Sequence, residues 1–269
     1  KSITAHRDLE YDDFIDIDAT PLELGDVFVG VEQDQTSQEF QLLYDGDGAI
    51  SGVGGVFWLN ENVSSFQQAY ADDFLLFGGF PLAFTRDIED NLNLHSYAAF
   101  GNLVYDVNDR LSVTGGLRYT YELKTYQRAT STTLVPTPFS FGVSESWEDV
   151  SPLVSVDYQF DDDLFGYAKV AKGFKSGGFN GRANAPGEET PYDPEIVWSY
   201  EAGFRKALNN GRVNLSGAVF YNDYQDFQAR VSVARGPGEF DFPVFNAGEL
   251  EIYGAELEFQ ALIGEGLTL

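Results

Sequence analysis

The feature that most constrains this chain is a two-residue rhythm. In LSVTGGLRYTYELK, Leu111, Val113, Leu117, Tyr119, Tyr121 and Leu123 fall on one side of an extended chain, and Ser112, Thr114, Arg118, Thr120, Glu122 and Lys124 on the other. The pattern returns in SPLVSVDYQF, in VWSYEAGFRK and in YGAELEFQA, each with an apolar and a polar side. Helical periodicity of any length is missing, so the elements are β-strands with one greasy and one wet face.

The connections constrain the fold further. Short turns are expected at Asp45–Gly48, Asn108–Arg110, Asp161–Asp163, Ala207–Gly211 and Gly264–Gly266. Between them lie long polar segments, Glu61–Leu92, Thr125–Glu148, Ser176–Ile196 and Gln225–Phe245, read as loops. Short and long alternate without exception, so all wide connections lie at one end of an antiparallel meander. Outer-membrane barrels are built this way, with short periplasmic turns and long extracellular loops. About ten strands are expected, from one near Ser2–Arg7 to the start of another at Leu267–Leu269. Several run about 10 to 14 residues, longer than the usual strand of a globular protein and suited to a tilted crossing.

Tyr105, Tyr158 and Phe160 lie by the short turns, and Tyr119, Tyr121, Trp198, Tyr200, Tyr221 and Tyr224 toward the long ones. Two such belts suit rings placed at two headgroup levels. No stretch approaches the apolar length of a membrane helix; the most apolar window, Gly52–Leu59, is far too short.

Charge and chemistry exclude other classes. With 43 Asp and Glu against 16 Lys and Arg, the formal charge is −27, a field that repels nucleic acid. Cysteine is absent, which removes disulfides and thiolate chemistry. KGFKSGGFN lacks both the spacing of a phosphate loop and the helix that must follow one. Lys175-Ser176-Gly177 lacks the Ser-x-x-Lys partner of penicillin-binding enzymes. Asp45–Gly48 is read as a hairpin turn, because an EF-hand starting there meets Val56 where its acidic ligand belongs. His6 and His95 stand apart and are read as wall or lumen residues. The acidic runs Asp12, Asp13, Asp16, Asp18 and Asp161–Asp163 are read as solvated loop and turn charges, with cation binding as the functional alternative. No catalytic group, metal ligand set or cofactor is expected.

Together, SYAAFGNLVYDVNDRLSVTGGLRYTYELK, LFGYAKVAKGFKSGGFN, YDPEIVWSYEAGFRKALNNGRVNLSGAVFYNDYQDFQA and NAGELEIYGAELEFQA resemble the β-barrel of TonB-dependent outer-membrane receptors. SITAHRD and SQEFQLLYDG look like upstream strands of the same barrel. The resemblance implies an all-β, up-and-down transmembrane barrel in the bacterial outer membrane, of about 22 strands in the whole protein. Residues 1–269 are then a partial barrel domain, with the N-terminal plug and C-terminal strands outside this chain. It further implies import of a scarce ligand, a ferric siderophore before a vitamin or carbohydrate, driven through a TonB complex acting on the plug. Lipid and lipopolysaccharide are the implied surroundings, and no enzyme activity is implied.

On this reading GFKSGGFN is the exit of a membrane strand, with lysines reaching the headgroup or lipopolysaccharide phosphates. Candidate ligand contacts are Phe139, Phe141, Trp147, Phe179, Asn180, Arg182, Phe240 and Phe242, aromatic and polar residues of the long loops. A passive porin and a soluble acidic β-sandwich binding module are the alternatives.

Overall fold

The computed structural model describes the chain except residues 17–18, 22–25, 72–83, 134, 184–186, 237–238, 242, 264–265 and 269, and the side chains of 71, 84, 135–137, 234–236, 239–241, 263 and 267–268. Every regular element among the described residues is a strand. They are β1 (Ser2–Ile15), β2 (Asp26–Asp45), β3 (Ile50–Ala71), β4 (Phe84–Asn108), β5 (Leu111–Thr132), β6 (Val135–Asp161), β7 (Leu164–Lys175), β8 (Glu195–Leu208) and β9 (Val213–Gln225), then four short strands, β10 (Gln228–Arg230), β11 (Val233–Gly236), β12 (Glu239–Asp241) and β13 (Val244–Asn246), and finally β14 (Leu250–Ile263) and β15 (Leu267–Thr268).

One antiparallel sheet of eleven strands, in the order β1 to β9, β14, β15, holds all the long elements. The short strands form two small ribbons, β10 with β13 and β11 with β12, inside the connection from β9 to β14. Strands follow one another in chain order, as in an up-and-down wall, and the sheet is open at β1 and at β14 with β15. Among the described residues no second sheet covers it, which removes the sandwich alternative.

Residues directly opposite one another in a ladder share a face, so the register sorts the wall into rows. One row links Tyr44, Gly52, Leu103, Gly115, Val154, Val170, Tyr200, Tyr221 and Tyr253 across β2 to β9 and β14 without a charge. Leu103 is 61% exposed and Tyr253 75%. An adjacent row on the same face, Ile50, Tyr105, Val113, Val156, Ala168, Ala202, Val219 and Ala255, is equally uncharged. A continuous exposed apolar face of this extent is stable only against lipid. The opposite face at this level carries Thr114, Ser155, Lys169 and Glu201, a wet lumen wall.

The upper limit of the uncharged band crosses the rows obliquely. On β4 it continues past Leu103 through Gly101 and Ala99 to Tyr97, whereas on β9 Asp223 follows Tyr221 on the same face. Strands tilted by about 35–45° to the membrane normal produce this offset. Trp58, Tyr97, Tyr119 and Tyr121 lie at the upper limit, and Tyr105, Tyr158 and Phe160 near the short turns. Tyr224 departs from the expected belt: it lies on the inner face, edge-on to Phe227 at 6.4 Å.

Two expected loops are largely strand. Glu61–Ala71 pairs with Phe84–Leu94, and Thr125–Thr132 pairs with Val135–Ser144, leaving residues 133–134 as the β5–β6 connection. The physical reason is a reversal of polarity along each strand. Above the band the outer face becomes wet, in rows such as Asp8, Asp34, Asn62, Asn93, Thr125 and Ser144. The inner face becomes apolar, in rows such as Leu9, Gln33, Val63, Leu92, Tyr126 and Val143. Backbone pairing continues while the alternation changes phase. Asp12 and Asp13 are likewise strand residues of β1 on opposite faces, not loop charges, and Asp18 lies outside the described residues.

Candidate functional site

The connection after β7 turns inward at its base and lies against the inner face of β5 and β6, above the lipid band. The glycines of GFKSGGFN make this possible. A side-chain carbon on Gly177 would collide with the Trp147 ring and the Tyr192 carbonyl, and one on Gly178 with the Tyr192 ring. Gly178 and Tyr192 exchange backbone hydrogen bonds of 3.2 and 2.9 Å, closing the two ends of the loop on each other.

Arg128 fastens the loop to the wall. It is 4% exposed, and its Nη1 donates to both oxygens of Asp90, at 2.7 and 2.9 Å. The same guanidinium donates to the carbonyls of Gly181 at 2.9 Å and Ala183 at 2.8 Å. Tyr126 donates to Asp90 Oδ1 at 2.5 Å. Burial first, then the Asp90 hydrogen bond and charge, push the Tyr126 phenol well above the ordinary range. Lys124 donates to the Gly177 carbonyl at 2.8 Å and to the Ser176 hydroxyl, and its ammonium lies 5.4 Å from the centre of the Trp147 ring.

Aromatic rings complete the arrangement. Phe179 stacks on Tyr126 at 5.9 Å and meets Trp147 edge-on at 5.7 Å; Phe141 meets Tyr126 edge-on at 5.7 Å and contacts Phe139 at the same distance. Pairs of this geometry contribute about 0.5–1.5 kcal/mol each beyond their burial. Phe139, Phe141, Trp147 and Phe179 are therefore one cluster. Asn180 is buried, with its Oδ1 accepting from the Arg182 backbone N–H at 3.1 Å, while the Arg182 residue is exposed. Phe240 belongs to β12, away from this cluster in the chain, and Phe242 lies outside the described residues. Tyr126, Arg128 and Asp90 are the members that sequence reasoning missed.

The lysines of the same stretch do not both reach outward. The β6–β7 ladder ends at Leu153 opposite Ala171, while β7 stays paired with β8 up to Lys175. Lys172 fills the resulting cleft, donating to Asp149 Oδ1 at 2.5 Å and to the Val150 carbonyl at 3.2 Å. Lys175 is exposed and 4.0 Å from Glu195. His6 and His95 share an outer row with Thr36 and Asn60, three strands apart. Among the described residues one group of metal-binding types, the exposed His6, Asp8 and Asp34, is close enough to share an ion. Surface carboxylates gather this way without one.

A family description, TonB dependent receptor-like, beta-barrel, matches residues 4–268. The chain belongs to the TonB-dependent receptors. Their barrels lie in the outer membrane of Gram-negative bacteria, so the exposed apolar face is a lipid face. The pesticin receptor of Yersinia pestis is 29% identical over 161 residues, which are 60% of this chain and 23% of that protein. The pesticin receptor of Yersinia enterocolitica stands at the same identity and coverage. Among solved structures, the ferric yersiniabactin uptake receptor FyuA from Yersinia pestis superposes on 99% of the chain with a TM-score of 0.81 at 22% identity. The ferripyoverdine receptor of Pseudomonas aeruginosa superposes on 98% with 0.59 at 14% identity. The chain spans about a quarter of the curated relatives it matches, and 38% and 36% of the two structures. At these identities the structural likeness is one of fold. The family and its structural neighbours are transport receptors rather than enzymes.

Proposed function

We propose that the chain forms part of the wall of an active-uptake receptor that captures a scarce extracellular ligand, a ferric siderophore first. Energy reaches it from a TonB complex through a plug seated in the lumen. The observation that carries this reading is the reversal of wall polarity. Below, a polar lumen face suits a hydrated plug; above, an inner face of Val29, Val31, Ile88 and Leu92 beside Phe139 and Phe141 offers apolar and aromatic surface to a ligand arriving from outside. The relatives' names add to it, since two of the similar structures take up or bind ferric siderophores.

In this reading Phe139 and Phe141 contact ligand, Arg182 meets it from the exposed loop, and Phe240 and Phe242 do so from the connection between β9 and β14. Trp147, Phe179 and Asn180 act at the same site by holding the loop base in place. Lys175 ends β7 on the same inward face as Lys169, 4.0 Å from Glu195, and so belongs to the inner rim of the lumen.

The test is uptake of iron-55 chelates by an iron-starved deletion strain carrying the full-length gene on a plasmid, with and without a functional TonB. Restored uptake of one chelate class that vanishes without TonB is expected. Restoration independent of TonB would point to a passive pore, and no restoration with any ferric chelate would remove the siderophore assignment.

A further inference from the structure

Arg118 stands on the inner face of β5, in the row that joins Phe100 of β4 to Ser151 of β6. Its guanidinium carbon lies 5.7 Å from the centre of the Phe57 ring and 5.8 Å from that of Phe100, and Nε donates to Thr120 Oγ1 at 3.1 Å. Phe100 is itself seated, because its ring takes the space that a side-chain carbon on Gly55 would need. The guanidinium is thus held by two rings and one hydroxyl before any partner arrives.

Three cations of the inner wall meet carboxylates of the wall. Lys124 lies 3.6 Å from Glu122, Arg128 2.7 Å from Asp90 and Lys169 3.4 Å from Glu201. Among the described residues the two Nη groups of Arg118 form no hydrogen bond or ion pair with the wall. They make the planar fork that matches a carboxylate with two parallel hydrogen bonds, and a fork already immobilised loses little freedom on binding.

Depth selects the source of that carboxylate. The flanking residues Leu117 and Tyr119 are exposed on the lipid face, so Arg118 lies inside the membrane band, below the level where the inner wall turns apolar. A ligand caught at the mouth is above it, whereas polypeptide occupying the lumen is beside it.

We propose that Arg118 is a docking point for an Asp or Glu side chain carried by the polypeptide that fills the lumen. This rests on the plugged-receptor reading given above. The wall supplies the cation and the plug the anion, and their contact holds the two together in the upper part of the lipid band.

The test uses the full-length receptor in detergent, without ligand. Arg118→Lys keeps the charge and introduces an amine that a carbodiimide joins to a carboxylate in contact. After digestion, mass spectrometry is expected to find position 118 joined to an acidic residue outside residues 1–269, a product absent from the wild type. In planar bilayers Arg118→Gln is expected to raise the frequency of open events about tenfold, the effect of losing roughly 1.4 kcal/mol, with Arg118→Lys close to the wild type. Heat-modifiable gel migration checks that each variant is folded. If the wild type is closed and position 118 joins only to acids of the wall, or to none, the proposal is overturned and the plugged reading stands. A wild-type channel that is permanently open removes both.

Discussion

Arg128 and Asp90 are direct cross-strand partners on the inner wall, and one nitrogen of the arginine donates to both oxygens of the aspartate. Because the same guanidinium also holds the Gly181 and Ala183 carbonyls, a change at position 90 is felt in the loop. Asp90→Asn leaves a buried cation without its counter-charge, at a cost of about 3 kcal/mol. Trypsin cleavage at Arg182 in the folded receptor is expected to rise on the order of a hundredfold if cleavage follows the opening equilibrium. An unchanged cleavage rate would mean that Arg128 does not fasten the loop.

The contact between Gly177 and Trp147 gives a spectroscopic handle. Gly177→Ala forces the loop away from the indole, at about 1–3 kcal/mol, as overpacking does elsewhere. Trp147 then gains water, and the emission difference between this variant and the same change in a Trp147→Phe background shifts to the red. No shift would place the loop off the wall.

Tyr192 sits at the loop closure, where burial raises its phenol above the ordinary range, with Arg230 opposing more weakly. A raised folded-state pKa favours the neutral phenol. Its contribution is complete below the unfolded value of about 10 and is lost as pH rises through the folded value. Resistance of the loop to protease should hold from neutral pH to about 9 and fall in stronger alkali. The tyrosinate absorbance of wild type minus Tyr192→Phe should show a midpoint above that of free tyrosine; an ordinary midpoint refutes the buried ring.

Level on the outer face decides whether a charge is tolerated. Val154→Arg, within the uncharged rows, should cost about 2–4 kcal/mol near the bilayer midplane and reduce folding into liposomes. Gln127→Arg, on the same face but in the wet upper rows, should fold like the wild type. Equal yields for the two variants would contradict the assigned band.

Much of the wall was legible because lipid and lumen impose opposite demands on neighbouring residues. LSVTGGLRYTYELK shows this up to Leu123, after which Tyr126 and Arg128 on the other face take over the buried role. A single strand records the change: in β2, Val27, Val29 and Val31 point inward, whereas Phe40, Leu42 and Tyr44 point outward. The shift from odd to even positions is present in the sequence, yet a search for one continuous phase ends the strand there. The site was half legible. Residue type singled out Phe139, Phe141, Trp147 and Phe179, but their meeting with Tyr126 depends on cross-strand register and on an inward turn. Asp90 and Arg128, far apart in the chain, looked like two charges among many.

The acidic face above the band also bears on how the wall reaches its place. Asp8, Glu10, Glu32, Asp34 and Glu89 finish on the far side of the membrane, with no further carboxylate beneath them on the same face of those strands. Carrying these anions through hydrocarbon is costly and happens once, during insertion. Afterwards they act as a float line, since sinking immerses carboxylates in lipid and rising lifts Val154 and Leu257 into water, so the receptor keeps one height and one orientation for its lifetime.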